Sequence, residues 1–193
     1  MQRNLLPKDG EAYFYPSLFS TEESDRLYNA LLTDIDWKQE PIFIMGKSIL
    51  QPRLTAWYGD ADKPYSYSGI TMTPQIWTPA LLEIRSRIEP LAGVTFSSVL
   101  LNYYRNGQDS MGFHRDNEKE LGINPVIGSV SFGTPRNFVF KHYSDKTLSE
   151  KLSLTHGSFL LMTGSTQHHW LHGIPKQLKI TEGRINLTFR VIK

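Results

Sequence analysis

An imidazole and a carboxylate stand two positions apart near the middle of the chain, at His114 and Asp116. Alternate residues of an extended segment point to the same side, so both groups would project from one face and could hold a divalent metal ion. A second imidazole would complete the two-histidine, one-carboxylate triad that suits Fe(II) and leaves coordination positions open. The pair alone also fits a surface histidine beside a solvated aspartate. The residues leave the third ligand open among the other histidines: His142, His156, His168, His169 and His172.

A polar row near the end of the chain has the chemistry of an anion site. Strand alternation gives one apolar face and one polar face, and the polar residues are Arg184, Asn186, Thr188 and Arg190. Two spaced guanidiniums could grip a dicarboxylate, because each fork matches a carboxylate. The alternative is a solvated strand face, but the order of polar residues favours a ligand site. Upstream, Asn102 and Tyr104 share a face and either join this site or are ordinary strand residues.

Two amphipathic helices are predicted in the first half of the chain. Ser20 caps the first helix and Glu23 supplies the reciprocal capping-box side chain. Its apolar positions are Leu27, Leu31 and Leu32. Thr78 caps the second helix ahead of a proline, and we expect Pro90 with Gly93 to end it. Its apolar positions are Leu81, Leu82, Ile84 and Ile88.

From residue 95 onward the periodicity changes to two, which is typical of strands. Short β-branched or aromatic segments, separated by turn residues, cover 96–104, 126–132, 137–142, 151–154, 159–162 and 184–192. Earlier, residues 42–50 are predicted to form a hairpin that turns near Met45. Many short strands at this spacing indicate a β-sandwich or jelly roll. We therefore predict a mainly β, α+β fold in which two helices and a hairpin precede the jelly roll.

Composition limits the possible classes of protein. The chain has 193 residues and no cysteine, so disulfides, Cys-ligated zinc, iron–sulfur clusters and thiol nucleophiles are excluded. This length fits one domain over residues 1–193. The net charge of +2 is compatible with nucleic acid without arguing for it. We expect a cytoplasmic protein without a membrane partner, because neither a signal peptide nor an apolar run of about 18 residues occurs; a nucleoid or nuclear location is the alternative.

Taken together, these residues resemble the AlkB family of Fe(II)- and 2-oxoglutarate-dependent dioxygenases, most closely its DNA-repair branch. The motif order that carries the resemblance is Asn102-x-Tyr104, His114-x-Asp116, a distal histidine, then Arg184-x-Asn186-x-Thr188-x-Arg190. Supporting stretches are Trp57-Tyr-Gly-Asp60, Tyr65-Ser-Tyr-Ser-Gly69 and Ser129-Val-Ser-Phe-Gly133. The resemblance implies a double-stranded β-helix, or jelly roll. Its catalytic core would span about residues 93–193, and the helices with a nucleotide-recognition hairpin or lid would span about 1–92.

The resemblance also implies which residues hold the metal and the cosubstrate. Fe(II) would be held by His114, Asp116 and His172, whereas His156 is expected to be structural and His168 and His169 to lie near the surface or behind the ligands. Arg184, helped by Tyr104, would bind the distal carboxylate of 2-oxoglutarate. Arg190 and Asn102 would lie near its metal-chelating end, and the pocket would be lined by Asn186 and Thr188.

The reaction implied by the resemblance is oxidative demethylation of N-alkylated bases such as 1-methyladenine and 3-methylcytosine. Dioxygen and 2-oxoglutarate are consumed, and formaldehyde, succinate and CO2 are released. The partner would be alkylated DNA, with RNA as an alternative, and we expect the protein to act as a monomer. A base inside a duplex cannot reach such a site, so it must be flipped out of the stack.

Substrate-binding residues follow from the same resemblance. Tyr67 would stack on the flipped base, Tyr65 would be a polar partner, and His114 would lie on the other face. Met45 at the hairpin tip would wedge into the gap left by the base. Lys47 and Arg53 could contact phosphates.

One position departs from the family pattern. The family commonly has a second aspartate after the metal-binding one, whereas this chain has Asn117 followed by Glu118. Asparagine lacks the charge that favours a cationic methylated base, so Glu118 is a candidate for that role.

Two other functions are weighed against nucleic-acid repair. The same iron and cosubstrate residues would serve a 2-oxoglutarate oxygenase that hydroxylates or demethylates a protein, lipid or small molecule. A jelly-roll binding module without catalysis is the second alternative, because fold alone does not imply function.

Overall fold

Two antiparallel sheets form the framework of the protein. The computed structural model describes residues 2–44, 47–61, 65–67, 70–72 and 74–193, with the backbone alone described at 42–44, 47–48, 65–67 and 70–72. In chain order the strands are β1 (Glu11–Tyr15), β2 (Pro41–Ile44), β3 (Lys47–Leu50), β4 (Leu54–Gly59), β5 (Tyr65–Tyr67), β6 (Ile70–Met72), β7 (Ser98–Tyr104), β8 (Met111–His114), β9 (Ile127–Gly133), β10 (Arg136–His142), β11 (Ser149–Leu154), β12 (Ser158–Thr163), β13 (Trp170–Ile174) and β14 (Arg184–Arg190). The six-stranded sheet has the order β1-β12-β9-β14-β7-β4, and the four-stranded sheet has the order β11-β10-β13-β8. The pairs β2-β3 and β5-β6 form separate hairpins.

The helices begin where their capping residues predict. In α1 (Thr21–Asp34), the Glu23 amide donates to Ser20 Oγ over 3.2 Å, and the Ser20 amide donates to the Glu23 carboxylate over 2.8 Å. In α2 (Pro79–Ala92), Thr78 is the N-cap and Gly93 ends the helix in the left-handed conformation that glycine favours. A single turn, α3 (Thr166–His169), precedes β13. No helix in the described ranges is long and apolar enough to cross a bilayer.

Two apolar clusters arrange these elements in layers. The first packs α1 and α2 against the outer face of the large sheet, through residues such as Leu31, Ile84 and Phe189. The second joins the inner face of the large sheet to the small sheet, through residues such as Leu160, Phe140 and Trp170. The alternation predicted for the last strand is therefore confirmed, because its apolar residues Ile185, Leu187 and Phe189 belong to the first cluster.

The predicted mainly β jelly roll is confirmed, with three corrections to its details. β1 and β4 both precede residue 93 and yet form the two edges of the large sheet, so the expected boundary does not separate helices from sheet. The second helix continues past Pro90 to Ala92, since the lost amide lies in the last turn, where little of the helix depends on it. Leu82 is 42% exposed and lies off the buried stripe of that helix.

Candidate metal centre and carboxylate pocket

The small sheet and the segment after it bring His114, Asp116 and His172 together. His114 ends β8 and pairs directly with His172 on the neighbouring β13. The Nε2 atoms of the two histidines lie 3.8 Å and 4.0 Å from the Asp116 carboxylate oxygens. One ligand atom from each residue lies within 4.8 Å of the other two, so the cluster can hold a metal ion. Of the histidines that the sequence left open, the structure places His172 beside the predicted pair.

A hydrogen bond at His114 and the burial of His172 leave each ring a nitrogen suitable for a metal. Nδ1 of His114 lies 2.9 Å from the carbonyl oxygen of Gly112, which can only accept, so Nδ1 carries the proton and Nε2 keeps a free lone pair. Burial, and then the neighbouring His114, lower the pKa of His172 to about 3. His172 is therefore neutral at physiological pH, which is the form that binds metal.

Asp116 supplies a buried anion to the same point. Burial alone would raise its pKa, but Arg190 and the two imidazoles outweigh that effect and hold the pKa at about 2. Arg190 donates to Asp116 Oδ1 over 2.8 Å. The other oxygen, Oδ2, is buried and has no hydrogen-bond partner among the described residues. A buried carboxylate oxygen without a donor is costly unless a cation binds it, and one carboxylate with two imidazoles is the donor set of an Fe(II) site.

A second cluster contains residues that could bind a metal, but the nitrogen of its His142 that faces the carboxylate carries a proton. Asp9, His142 and His169 also bring ligand atoms within 4.8 Å of one another. However, His142 Nδ1 accepts a hydrogen bond from the amide of Asp145 over 3.0 Å, so the proton of the neutral ring is on Nε2. This Nε2 lies 3.3 Å from Asp9 Oδ2 and has no lone pair for a metal. The arrangement suits a structural contact between His142 and the Asp9 carboxylate.

The remaining histidines have structural surroundings. His156 accepts from the amide of Gly133 over 2.8 Å and lies 3.2 Å from Asp25, as expected for a structural residue. The side chain of His168 is exposed and His169 stacks on His142.

A buried guanidinium without an anion lies next to the metal cluster. Arg184 is 1% exposed and donates through Nη2 to Ser131 Oγ over 2.8 Å. Its Nε and Nη1 atoms are buried with no hydrogen-bond partner in the described part of the chain. Burial lowers the pKa of Arg184 to about 10, which leaves the group charged at physiological pH. Because a buried cation without an anionic partner is costly, the arrangement fits an incoming carboxylate.

The other predicted cosubstrate residues line the same pocket. β7 and β14 pair so that Tyr104 lies beside Arg184 and Asn102 beside Asn186. The Arg184 guanidinium lies 5.2 Å from the centre of the Tyr104 ring. Both strands face a pocket that also contains the metal cluster; its polar lining includes Asn102, Tyr104, His114, Asp116, His172, Arg184, Asn186, Thr188 and Arg190.

Asn186 and Thr188 use their polar groups within the wall of the pocket. The Asn186 amide nitrogen donates to Ser129 Oγ over 2.8 Å and to the Val130 carbonyl over 3.0 Å, and its oxygen accepts from Thr188. Both residues therefore shape the wall. Ser129, which accepts from Asn186, and Ser131, which accepts from Arg184, were not predicted as site residues, although their alternation on one strand was a usable signal.

The prediction that Arg53 contacts phosphates is wrong. Its side chain is 5% exposed and donates from Nε to Asn102 Oδ1 over 2.7 Å and from Nη2 to Gln51 Oε1 over 2.7 Å. Since arginine only donates, the atom of Asn102 that faces it is the oxygen, and the Asn102 amide hydrogens remain for the pocket. The contact is invisible in sequence because 49 positions separate the two residues.

The structure describes only some of the residues predicted to bind the substrate. Asn117 is exposed, and Glu118 is half-buried with Oε2 buried and unpartnered among described residues. Met45 lies outside the described residues, as do the side chains of Lys47, Tyr65 and Tyr67, whose backbones belong to β3 and β5.

Comparison with known proteins adds a family to this geometry. Residues 11–190 match the model of the 2OG-Fe(II) oxygenase superfamily. The chain is 42% identical over 187 residues to human alpha-ketoglutarate-dependent dioxygenase alkB homolog 3, covering 92% of this chain and 65% of that protein. It is 37% identical over 197 residues to mouse DNA oxidative demethylase ALKBH2, covering 97% of this chain and 82% of that protein. The solved structure of OsALKBH1 superposes with a TM-score of 0.65 at 16% identity, covering 93% of this chain and 96% of that one. The chain spans 63% of the length of the rat alpha-ketoglutarate-dependent dioxygenase alkB homolog 3 that it matches.

Proposed function

The chain belongs to the AlkB family within the 2OG-Fe(II) oxygenase superfamily, and on that premise we propose that it oxidatively demethylates N-alkylated bases in nucleic acid. The substrates are 1-methyladenine and 3-methylcytosine, and the cosubstrates are 2-oxoglutarate and dioxygen. The products are the repaired base, formaldehyde, succinate and CO2. The observation that carries the proposal is the buried Asp116 carboxylate, which has one oxygen without a described hydrogen-bond partner and is gathered with the imidazoles of His114 and His172.

His114, Asp116 and His172 are the proposed ligands of Fe(II). When bound, Fe(II) supplies the activation of dioxygen that is coupled to oxidation of 2-oxoglutarate. The carbonyl of Gly112 fixes the His114 ring so that Nε2 faces the centre. Arg190 holds one Asp116 oxygen and leaves the other for the metal. Because the three donors are already gathered, little reorganisation is needed when the ion enters.

Arg184 is the proposed anchor of the distal carboxylate of 2-oxoglutarate. Its Nε and Nη1 atoms are buried donors without a described partner, so a carboxylate could accept from the guanidinium, which lies 5.2 Å from the centre of the Tyr104 ring. Asn102 and Arg190, which line the same pocket, are proposed to lie near the metal-chelating end of 2-oxoglutarate. Asn186 and Thr188 line the same pocket.

Recognition of the flipped base is proposed for the residues that the family resemblance implies. Tyr67 is proposed to stack on the base, with Tyr65 as polar partner and Met45 as the wedge. Glu118 is half-buried and has an oxygen without a described partner, which supports it as the anion that favours a cationic methylated base. Asn117 is exposed and could bond to the exocyclic amine.

The test is formaldehyde release and loss of one methyl mass from oligonucleotides that carry 1-methyladenine or 3-methylcytosine. His172→Ala and Arg184→Ala should abolish both signals, whereas His168→Ala changes an exposed imidazole outside the cluster and should retain them. Succinate formation without loss of a methyl group would favour a protein, lipid or small-molecule substrate instead. Absence of both succinate and metal binding would favour a non-catalytic module.

The proposal also includes a monomeric protein acting in the cytoplasm. Light scattering on the purified chain tests the first statement, and a fluorescent fusion of the full-length protein tests the second.

A further inference from the structure

The backbone around Asp116 lies outside regular secondary structure. β8 ends at His114, and residues 115–118 belong to no helix or strand. The position of the proposed metal carboxylate is therefore not set by a sheet ladder. Arg190 holds the carboxylate, but a separate contact must hold the main chain that carries it.

That contact comes from the single turn of α3. The backbone amide of Asp116 donates to Gln167 Oε1 over 3.0 Å, and Gln167 is completely buried. The other end of the Gln167 amide donates to the sulfur of Met162 over 3.6 Å. Since a backbone amide only donates, the Gln167 oxygen must face Asp116, which fixes the orientation of the side chain.

α3 is itself tied to the large sheet and to the segment it holds. Thr166 accepts from the amide of Glu11 over 2.8 Å and donates to the carbonyl of Thr163 over 2.6 Å. Arg115, which precedes Asp116, donates to the carbonyl of His168 over 2.8 Å. The turn then leads directly into β13, which carries His172. One short element therefore touches the Asp116 segment and begins the strand of the third ligand.

We propose that Gln167 is a positioning residue for the metal centre. By holding the main chain of Asp116, it sets the carboxylate opposite the two imidazoles before any ion binds. The proposal rests on the metal site described above and is independent of the nucleic-acid substrate. Groups that orient metal ligands through hydrogen bonds typically change metal affinity roughly 10–100-fold when they are removed.

Mn²⁺ binding measures this role without turnover. Free Mn²⁺ is followed by electron paramagnetic resonance as the protein is titrated, with and without 2-oxoglutarate. Gln167→Met has similar length and replaces the amide oxygen with a thioether sulfur, a much weaker acceptor, and we expect it to weaken Mn²⁺ binding about 10–100-fold. Gln167→Glu keeps an oxygen that can accept from the Asp116 amide and should recover most of the affinity. Thr163→Val is the matched control, because it removes a hydrogen bond to Glu11 beside the same turn without touching Asp116.

The outcomes separate the proposal from its premise. Equal Mn²⁺ affinity in wild type and Gln167→Met, or equal weakening in the methionine and glutamate variants, would overturn the positioning role. Equal weakening in Thr163→Val would also overturn it, since the turn would then act only through general stability. If Gln167→Met does not fold, Gln167→Asn replaces it, with the acceptor withdrawn by one methylene and the same expected loss. Failure of the wild type to bind Mn²⁺ would instead defeat the proposed metal centre.

Discussion

Replacing Arg184 with methionine should have opposite effects on stability and on cosubstrate binding. The guanidinium is fully buried, it keeps one hydrogen bond to Ser131, and two of its nitrogens lack a described partner. A residue that serves only the fold would be expected to have these groups satisfied. The structure instead places an unpaired cation where the proposal needs a carboxylate.

Two magnitudes follow from this environment. Burial lowers the pKa of Arg184 from 12.5 to about 10, which corresponds to about 3 kcal/mol of unfavourable free energy for the charged form in the empty pocket. Arg184→Met removes that burden, so the melting temperature of the free protein should stay the same or rise. Breaking a buried charge pair costs about 3–5 kcal/mol, so the affinity for 2-oxoglutarate should fall by at least about a hundredfold.

The assay combines thermal unfolding with 2-oxoglutarate titration. Wild type should be stabilised by 2-oxoglutarate with Mn²⁺, whereas Arg184→Met should show almost no such increment and a raised KM. Arg184→Lys is the matched control, since it keeps the charge but loses the planar guanidinium. Its stabilisation by 2-oxoglutarate and its KM should lie between those of wild type and Arg184→Met. A large drop in the melting temperature of free Arg184→Met, together with an unchanged KM, would refute the reasoning.

Three further predictions test the ligands and the substrate side. Burial lowers the pKa of His172 from 6.5 to about 3. Between these pH values the unfolded chain binds a proton that the folded chain does not. The free energy of unfolding of the metal-free protein should therefore fall by up to about 1.4 kcal/mol for each pH unit of acidification in that range. In urea unfolding at about pH 7 and about pH 5, His172→Gln should lose less unfolding free energy than wild type between the two pH values. An equal loss in both proteins would contradict the lowered pKa of His172. Asn117→Asp should shift the relative rates on 1-methyladenine and 3-methylcytosine in competition assays, and unchanged ratios would mean that this position does not read the base. Met45→Ala should reduce demethylation of duplex more than of single-stranded oligonucleotide, and equal losses would remove the wedge.

Local patterns in the sequence predicted the elements well. The capping box of Ser20 and Glu23, the Thr78 cap and the period-two segments all correspond to observed helices and strands. These signals are readable because capping and alternation involve neighbours only a few positions apart. β1 and β4 were missed because their partners, β12 and β7, lie far along the chain.

The sequence by itself determined which groups could do chemistry: an imidazole and a carboxylate on one face, and a polar row with two guanidiniums. Tertiary structure decided which of them meet. It selected His172 because β13 pairs with β8. It excluded His142 because the amide of Asp145 donates to Nδ1, so the ring proton is on Nε2, the nitrogen that faces Asp9. It also buried Arg53 beside Asn102 while leaving Arg184 without a described anion. The physical reason is that residue type and local spacing set the charge and direction of a side chain, whereas strand pairing and burial set its partners and its protonation state.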